Sequence, residues 1–281
     1  MKLKNKNIII TGAGRGIGRE AAIRLSELGA TIILLSRTEK ELKETLEVVK
    51  KNSPASLYYI LDTSDEVSVK YIFKKIIEKF KQIHVLINNA GIQFPIGPFY
   101  KNDLKEWKSN IEINLLGTVY CTNAVLGNMI ESGSGKIINM SGGGATSPRS
   151  NFSAYSVAKT GVVRFSETIA EELKDKNICV NCVAPGAVNT KMLDEVIQAG
   201  DSAGREYEDA LLRQEKGGTV IKIPVDLICF LASEESDGIT GKLISAPWDK
   251  WQNVEFRDEL RSDKDIATLR RIDNKYFYKK K

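Results

Sequence analysis

The chain has very little histidine and cysteine for its length. Its 281 residues include one histidine, His84, and four cysteines. Only Cys179 and Cys182 are closely spaced, and they lie in a β-branched segment where positions i and i+3 point to opposite faces of a strand. We therefore expect neither a histidine–cysteine metal site nor a disulfide scaffold. Cysteines that are few and unpaired suggest reduced thiols in a cytoplasmic protein.

Long apolar runs and a strong excess of one charge are also lacking. No apolar stretch approaches the roughly 18 residues that a membrane-spanning helix needs. The segment after Met1 does not have the pattern of a signal peptide. The net charge is +5, and apart from lysines 279–281 the basic residues are spread along the chain. Because a nucleic-acid site needs a basic stripe, we expect binding to neither membranes nor nucleic acids.

Seven short β-branched segments alternate with longer segments of helical pattern. The predicted strands are 7–11, 31–36, 57–61, 85–88, 136–140, 178–183 and 242–245, and the predicted helices are 17–28, 38–51, 65–80, 103–131, 154–175 and 225–233. Such alternation is typical of βαβ units, which form a parallel sheet with helices on both faces. The sequence therefore predicts a single α/β domain over 1–246, with a doubly wound, parallel, seven-stranded sheet.

Two stretches fall outside this alternation. Residues 191–223 are polar and interrupted by glycine, which predicts a mobile insertion near a binding site. Residues 247–281 follow the last strand and contain aromatic clusters, including Trp248, Trp251 and 276–278. Because a disordered tail contains few aromatic residues, we expect this extension to pack on its own subunit or on a neighbouring one.

Tyr155 and Lys159 are the candidate catalytic pair. They stand four positions apart in a predicted helix and therefore on one face of it. A fixed ammonium group favours a phenolate, so Lys159, helped by the positive charge of an oxidised nicotinamide, would lower the pKa of Tyr155. Such a phenol can protonate a carbonyl oxygen while a hydride reaches its carbon. The same spacing recurs by chance on exposed helices, so the surrounding motifs decide its meaning.

A glycine-rich segment closes the first predicted strand and opens the first helix. Glycines at this place allow a tight turn and let the backbone approach a pyrophosphate at the helix N-terminus. The candidate cofactor-binding residues here are Gly12, Gly14, Arg15, Gly16, Ile17 and Gly18. The spacing is a variant of the usual G-x-G-x-x-G, and by itself the segment could be an ordinary strand–helix turn.

The end of the second predicted strand indicates which dinucleotide binds. An acidic residue here would bond the ribose hydroxyls of NAD, but the chain has Ser36 followed by Arg37. Two guanidinium groups, Arg37 and Arg15, suit a 2′-phosphate because arginine binds phosphate through a planar, bidentate geometry. We therefore expect NADP(H) rather than NAD(H). Alternatively, Arg37 only ends the strand and pairs with Glu41 in the next helix.

In combination these motifs resemble the short-chain dehydrogenase/reductase family, especially its NADP-dependent 3-oxoacyl-carrier-protein-reductase-like members. The resemblance covers residues 4–246 and implies a Rossmann-type fold. The matching motifs are T-G-x-x-x-G-x-G at 11–18, N-N-A-G at 88–91, an asparagine at Asn114, Y-x-x-x-K at 155–159 and P-G-x-x-x-T at 185–190.

The resemblance also implies roles for single residues. Tyr155 would be the general acid in reduction, Lys159 would bind the nicotinamide ribose, and Asn114 would hold a water molecule in a proton relay. Further implied cofactor contacts are Asp62, Thr63, Asn89, Ala90, Gly91, Pro185, Gly186, Val188 and Thr190. Asn114 could instead cap a kink in a long helix, and the asparagines at 88–89 could merely end a strand.

One departure from the family pattern concerns the catalytic serine. The family places it thirteen positions before the tyrosine, where this chain has Gly142, and the nearest serine is Ser141. On a strand, a shift by one residue points a side chain to the opposite face. Either a bulge among the following glycines brings Ser141 into the serine role, or glycine N–H groups or Ser153 bind the carbonyl oxygen instead. Of these alternatives we favour Ser141, which we count with Tyr155, Lys159 and Asn114 as a predicted catalytic residue.

The predicted function follows from these motifs. We expect an NADP(H)-dependent oxidoreductase that interconverts a ketone and a secondary alcohol, with a small-molecule substrate and a homo-oligomeric assembly, a tetramer or a dimer. Residues 191–223 and the extension, with Trp248 or Trp251 near the mouth, would shape the substrate pocket. The alternative, suggested by Gly142, is a dinucleotide-binding protein with weak or no catalysis.

Overall fold

A parallel sheet of seven strands forms the centre of the computed structural model, which describes residues 2–272. The strands are β1 (Asn7–Thr11), β2 (Thr31–Ser36), β3 (Leu57–Ile60), β4 (Val85–Asn88), β5 (Gly135–Met140), β6 (Ile178–Ala184) and β7 (Leu243–Ser245). Their order across the sheet is β3-β2-β1-β4-β5-β6-β7, and every neighbouring pair is parallel. The predicted strands agree with these within one residue at each end.

Ten α-helices connect or follow the strands in the described part of the chain. They are α1 (Gly16–Glu27), α2 (Glu39–Val49), α3 (Glu66–Phe80), α4 (Leu104–Ile111), α5 (Gly117–Glu131), α6 (Ser153–Glu172), α7 (Lys191–Ala199), α8 (Arg205–Lys216), α9 (Lys222–Ala232) and α10 (Val254–Ser262). Helices cover both faces of the sheet, so the predicted doubly wound α/β fold is confirmed.

Each central strand contributes to two hydrophobic cores. Ile8 and Ile10 belong to a core on one face of the sheet, with residues of α1, α2 and α9, whereas Ile9 belongs to a core on the other face, with α3 and α5. Successive side chains of a strand point to opposite faces. A strand that is covered on both sides must therefore be apolar at every position, which is the pattern of 32–35 in β2.

The strand order reverses between β1 and β4, and this reversal positions the site. From β1 the chain adds β2 and β3 on one side, and then crosses to add β4 to β7 on the other. Helix α1, which follows β1, and helix α5, which follows β4, therefore pack on opposite faces of the sheet. Ligands of open α/β sheets bind in the crevice that such a reversal leaves.

Two regions differ from the sequence-based prediction. No helix was predicted in residues 191–223, the stretch interpreted as a mobile insertion, but they contain α7, a short 3₁₀ turn at Gly200–Ala203, α8 and the start of α9. The glycines that suggested a loop lie between the helices, where Gly200, Gly204 and Gly217 have positive φ angles. The predicted single helix over 103–131 is interrupted by a π-helical turn at Glu112–Leu116.

The described part of the C-terminal extension packs on its own subunit. After α10 the chain runs along β7, where Leu243 N–H donates to Ala267 O at 2.7 Å. Lys242 Nζ donates to the carbonyl oxygens of Asp263 and Ile266 at 2.6 and 3.0 Å. Trp251 is buried against Phe230. The aromatic cluster predicted at 276–278 lies outside the described residues.

Candidate active site

The loops after β1 and β4 are bonded to each other. Thr11 Oγ1 accepts from the backbone N–H groups of Asn89 and Ala90 at 3.0 and 3.1 Å, and the Asn89 side chain donates to the carbonyls of Thr11 and Gly12 at 3.1 Å. Gly12 has a φ of +64°, and a Cβ there would lie 2.9 Å from Ala90 Cα. Only glycine therefore fits at this close approach, which gives the N-N-A-G segment a structural role as well.

A first cavity of about 430 Å³ opens where these two loops meet. It is lined by most of the residues predicted to bind a dinucleotide: Gly12, Gly14, Arg15, Gly16, Ile17, Ser36, Arg37, Asp62, Thr63, Asn89, Ala90, Gly91 and Thr190. Gly18 does not line it; a Cβ at Gly18 would lie 2.4 Å from the carbonyl oxygen of Gly12, so this glycine serves the close packing of the loop. The backbone at the start of α1 therefore faces a cavity whose walls are glycine-rich, as phosphate binding requires.

Each of the two arginines at the far end of the first cavity lies near a carboxylate. Arg15 Nη1 is 3.4 Å from Glu41 Oε1, and Arg37 Nη1 is 3.7 Å from Asp62 Oδ2. The pairing of Arg37 with Glu41, considered from the sequence, is thus replaced by two other pairs. All four side chains are at least 30% exposed, so these ion pairs contribute little to stability and leave the guanidinium groups accessible to an anionic ligand.

Tyr155 and Lys159 are both buried on α6, and their side chains lie close together. Lys159 Nζ is 5.5 Å from the centre of the Tyr155 ring and donates to Met140 O at 2.9 Å. Burial lowers the pKa of Lys159 to about 8. Burial raises the pKa of Tyr155, the positive charge of Arg149 lowers it, and the negative charge of Glu195 raises it.

The residue that faces Tyr155 from the end of β5 is Gly142. A Cβ at Gly142 would collide with the Tyr155 hydroxyl, so the phenol occupies the space that a side chain would need. Ser141 is buried, its N–H donates to Val183 O at 2.8 Å, and its Oγ has no hydrogen-bond partner among the described residues. Ser153 Oγ accepts from Trp107 Nε1 at 3.1 Å. The structure therefore does not bring a serine hydroxyl to Tyr155.

Asn114 lies at the centre of the π-helical turn and is fully buried. Its side chain donates to Ile92 O at 2.8 Å and to Asn110 Oδ1 at 2.8 Å, and it accepts from Ile92 N–H at 3.3 Å. A Cβ at Gly91 would lie 3.6 Å from Lys159 Nζ and also meet Asn114 Oδ1 at 2.5 Å. Asn114 and Lys159 thus flank the same glycine, and π-helical turns of this kind are frequent at functional sites.

A second cavity of about 590 Å³ adjoins the first and contains Tyr155 in its wall. The two cavities share Ile17, Thr190 and Met192. Of the predicted cofactor residues that do not line the first cavity, the second is lined by Pro185, Gly186 and Val188, as well as by Tyr155. Lys159 lines neither cavity and lies behind Tyr155 and Gly91.

Part of the wall of the second cavity comes from residues 191–223 and from the C-terminal extension, the two stretches that fall outside the alternation of strands and helices. Leu193 and Val196 of α7, with Glu206 of α8, form one side, and Trp248 and Thr268 of the extension form another. Trp248 is 82% exposed at the rim, whereas Trp251 is buried in the core. The sequence suggested Trp248 or Trp251 for the mouth of the substrate pocket, and of these two it is Trp248 that lines the second cavity.

Sequence reasoning missed three polar side chains of the second cavity, Gln93, Arg149 and Glu206. Arg149 forms a bidentate ion pair with Glu206, with both nitrogen–oxygen distances 2.9 Å, and its Nη1 donates to Gln93 Oε1 at 3.3 Å. The partners are separated by more than fifty residues. No local spacing or motif connects them, so only the tertiary structure could identify this group.

The fold and the two adjoining cavities define a Rossmann-type protein with a nucleotide-sized cleft beside a buried tyrosine–lysine pair. Residues 6–200 match the short chain dehydrogenase family. The chain therefore belongs to this family and is an oxidoreductase that acts on CH–OH and keto groups, as the sequence resemblance predicted. Within the described residues, no helix is long and apolar enough to cross a membrane.

Two relatives are similar to the chain over nearly their whole length. A subunit of hydroxy(phenyl)methyl-succinyl-CoA dehydrogenase from Thauera aromatica is 32% identical over 87% of this chain and 96% of the relative. A 3-oxoacyl-(acyl-carrier-protein) reductase from Thermotoga maritima is 32% identical over 87% of this chain and 97% of the relative. The second similarity agrees with the subgroup that the sequence motifs indicated.

Solved structures give the same result for the fold. A variant of actinorhodin polyketide ketoreductase with NADPH is 26% identical, has a TM-score of 0.79 and covers 85% of this chain and 95% of its own. An NAD⁺-bound xylitol dehydrogenase, 24% identical, has a TM-score of 0.80 over 87% of this chain and 98% of its own and shows likeness of fold alone. The ketoreductase structure contains NADPH, which belongs to the cofactor type of the family, a nicotinamide dinucleotide.

Proposed function

We propose that the protein is an NADP(H)-dependent oxidoreductase that interconverts a ketone and a secondary alcohol, with Tyr155 as the general acid and base. The observation that carries the proposal is the position of Tyr155. It lines the second cavity, and this cavity shares Ile17, Thr190 and Met192 with the glycine-rich first cavity. A phenol so placed stands where a carbonyl substrate in the second cavity would meet a nicotinamide that extends from the first.

The residues of the first cavity fit NADP(H). The Cβ-free approach at Gly12 and the start of α1 suit a pyrophosphate, and Arg15 and Arg37 suit a 2′-phosphate. Asp62 and Thr63 would lie beside the adenine, and Gly91, Pro185, Gly186, Val188 and Thr190 would lie beside the nicotinamide half. Bound NADP(H) supplies or accepts the hydride. The negative charges of Glu41 and Asp62 compete with a 2′-phosphate for these arginines, so measured affinities for NADP(H) and NAD(H) test the proposed preference.

The proton chemistry is assigned to the chain's own side chains. In reduction, the Tyr155 O–H bond breaks and its proton goes to the carbonyl oxygen, which becomes the hydroxyl of the product. The phenolate regains a proton from the Lys159 ammonium, and Asn114, beside the same Gly91, would hold the water that restores the proton to Lys159. Oxidation of the alcohol uses the same groups in reverse.

The backbone that follows β5 is proposed to replace the family serine. The structure gives the Gly143 and Gly144 N–H groups no acceptor among the described residues, and Gly143 lines the second cavity. A backbone N–H can stabilise negative charge on a substrate oxygen as a hydroxyl does. Of the alternatives considered from the sequence, glycine N–H groups fit the geometry better than Ser141, whose hydroxyl is buried.

Turnover of NADPH with a panel of ketones tests the function. The panel begins with 3-oxoacyl thioesters, since the relatives' names specify substrates attached to coenzyme A or to a carrier protein, and includes cyclic diketones. We expect Tyr155→Phe to lower kcat by about 10²- to 10⁴-fold, the usual contribution of a general acid. Binding of NADPH, measured by fluorescence, should persist in this variant, and wild-type activity without Tyr155 would refute the mechanism.

The second candidate function is dinucleotide binding with weak or no catalysis. The observation in its favour is Gly142, because a missing oxyanion donor costs about 10²- to 10³-fold in rate when nothing replaces it. NADPH binding without turnover of any ketone in the panel would support this candidate. We further propose a cytoplasmic homo-oligomer, a tetramer or dimer formed through α5 and α6, which light scattering of the purified protein would test.

A further inference from the structure

Arg149 is held rigidly in the wall of the second cavity. It lies in the loop between β5 and α6, and its Nε and Nη2 donate to the two carboxylate oxygens of Glu206. Its Nη1 donates to Gln93 Oε1. Only 15% of the Arg149 side chain is exposed. A bidentate arginine pair of this kind fixes both the position and the orientation of the guanidinium plane.

The guanidinium group lies over two aromatic rings. Its Cζ is 3.8 Å from the centre of the Phe152 ring and 5.7 Å from the centre of the Tyr155 ring. The stem of Arg149 packs along Gly143, where a Cβ would lie 3.6 Å from Arg149 Cδ. The absence of side chains at Gly142 and Gly143 therefore leaves the room in which the cation approaches the phenol.

The charged groups around Tyr155 come from four parts of the structure. Lys159 Nζ, on the same helix, is at a similar distance from the ring but is bonded to a backbone carbonyl and buried. Glu195 of α7 acts in the opposite direction, because its negative charge raises the pKa of Tyr155. Arg149 lowers that pKa, and Glu206 of α8 determines where Arg149 stands.

We propose that Arg149 is the positioning cation of Tyr155: fixed by Glu206 and Gln93, it stabilises the phenolate and so couples the docking of α8 to proton transfer. The proposal rests on the proposed function, in which Tyr155 is the acid and base. It assigns to this chain a second cation besides Lys159, in a site where the hydroxyl of the family serine is absent. Arg149 acts through Tyr155 and not on the substrate.

Ultraviolet titration of Tyr155 tests the proposal without any substrate. The phenolate signal of Tyr155 is the difference between the wild type and Tyr155→Phe, recorded with and without NADP⁺. The same difference is then measured in an Arg149→Gln background. Because loss of the cation removes a stabilising charge from the phenolate, we expect the Tyr155 midpoint to move to higher pH. Arg149→Lys, which keeps the charge, should restore part of the shift.

Arg205→Gln is the matched control, because Arg205 is an exposed arginine of α8 next to Glu206 that does not line the cavity. It should leave the Tyr155 midpoint at the wild-type value. An unchanged midpoint in Arg149→Gln, with NADPH binding intact, would overturn the proposal. If Arg149→Gln does not fold, Glu206→Gln decides: loss of the carboxylate that fixes the guanidinium should move the Tyr155 midpoint, and an unchanged midpoint would refute the coupling to α8.

Kinetics provide a second readout with any ketone that the protein reduces. Reduction requires protonated Tyr155, so the loss of kcat at alkaline pH should move to higher pH in Arg149→Gln. In the oxidative direction at neutral pH, where phenolate is required, we expect kcat to fall about tenfold with little change in KM. A change in KM alone would indicate a merely structural role. If no ketone is reduced, the titration still reports on Arg149, so the two proposals fail separately.

Discussion

At the scale of single residues, burial acts in opposite directions on the two central groups. It disfavours the charged form of each, so it raises the pKa of Tyr155 and lowers the pKa of Lys159. A neutral tyrosine is the form that donates a proton in reduction, whereas a charged lysine is the form that stabilises the phenolate. Burial at this site therefore favours the protonated form of Tyr155 and disfavours the ammonium form of Lys159.

The cost of burying Lys159 predicts a pH dependence of stability. Its pKa is about 8 in the folded chain and about 10.5 when unfolded. Between these values the unfolded state binds more protons, so the free energy of unfolding should rise with pH, by up to about 3 kcal/mol from this group. Below about pH 8 the folded protein bears the full free-energy cost of burying the Lys159 ammonium group, and above about pH 10.5 this cost is absent. Urea unfolding across this range checks the slope.

Lys159→Met is the comparison for that measurement. It replaces the ammonium by an apolar group of similar length, so the part of the slope that belongs to Lys159 should disappear. Other lysines and tyrosines titrate in the same range in both proteins and cancel in the difference. Equal slopes in the two proteins would show that Lys159 is not desolvated in solution.

A single substitution also tests whether Ser141 takes the role of the catalytic serine of the family. Because the Ser141 hydroxyl is buried, has no hydrogen-bond partner within residues 2–272 and does not line either cavity, we expect Ser141→Ala to leave kcat/KM within about threefold of wild type. Removing an unsatisfied buried hydroxyl should be neutral or stabilising, which thermal unfolding would show. A loss of about 10²-fold or more in kcat/KM, the size of a missing oxyanion donor, would restore Ser141 to the serine role.

At the scale of elements, the turns after β1 and β2 carry the residues on which the proposed preference for NADP(H) rests. Both arginines that face the first cavity share it with a carboxylate, Arg15 with Glu41 and Arg37 with Asp62. A 2′-phosphate must compete with these carboxylates for the guanidinium groups. These turns thus place two guanidinium groups at the first cavity, and the neighbouring carboxylates weaken the attraction of these groups for a phosphate.

Replacing one partner at a time should separate these contributions. We expect Arg37→Ala to weaken NADPH binding by about 10- to 100-fold, the loss of a hydrogen bond to a charged group, with little effect on NADH. Glu41→Gln, which frees Arg15, should strengthen NADPH binding. Fluorescence titration of both cofactors measures the ratio. Tighter binding of NADH than of NADPH by the wild type would contradict the expected preference for NADP(H).

At the scale of the whole molecule, the C-terminal extension completes both the sheet edge and the second cavity. It bonds to β7 through Ala267 and holds Lys242 through two backbone carbonyls. It also contributes Trp248 and Thr268 to the cavity. A segment that lies beyond the last strand in sequence is therefore part of the folded core and of the candidate site.

A chain that ends at Ser262 tests this integration. Lys242 would lose both carbonyl acceptors, and the edge of β7 would lose its partner, so we expect a loss of at least about 2 kcal/mol in the free energy of unfolding. Arg270→Ala removes partly exposed ion pairs with Glu167 and Asp265 and should cost less than about 1 kcal/mol. Chemical denaturation compares the two, and equal stability of the truncated and full chains would refute the role.

The fold class, the strands and the helix that carries Tyr155 and Lys159 could be predicted from the sequence, because these features depend on local periodicity. Alternating β-branched and helical segments specify the parallel sheet, and the spacing of Tyr155 and Lys159 follows from helical geometry. Helices α7 and α8 were not predicted because glycines interrupt the polar sequence around them. The π-helical turn was not predicted because no local sequence pattern in 103–131 indicates it.

The side chains that meet in the second cavity could not be predicted from the sequence, because the packing of distant segments brings them together. Arg149, Gln93 and Glu206 come from three distant segments, and their charges and orientations depend on how those segments pack. Likewise, Gly142 rather than Ser141 faces Tyr155 because the chain leaves β5 in a particular direction. Local pattern specifies elements, whereas contacts between distant residues, and the electrostatics that follow from them, exist only once the chain has folded.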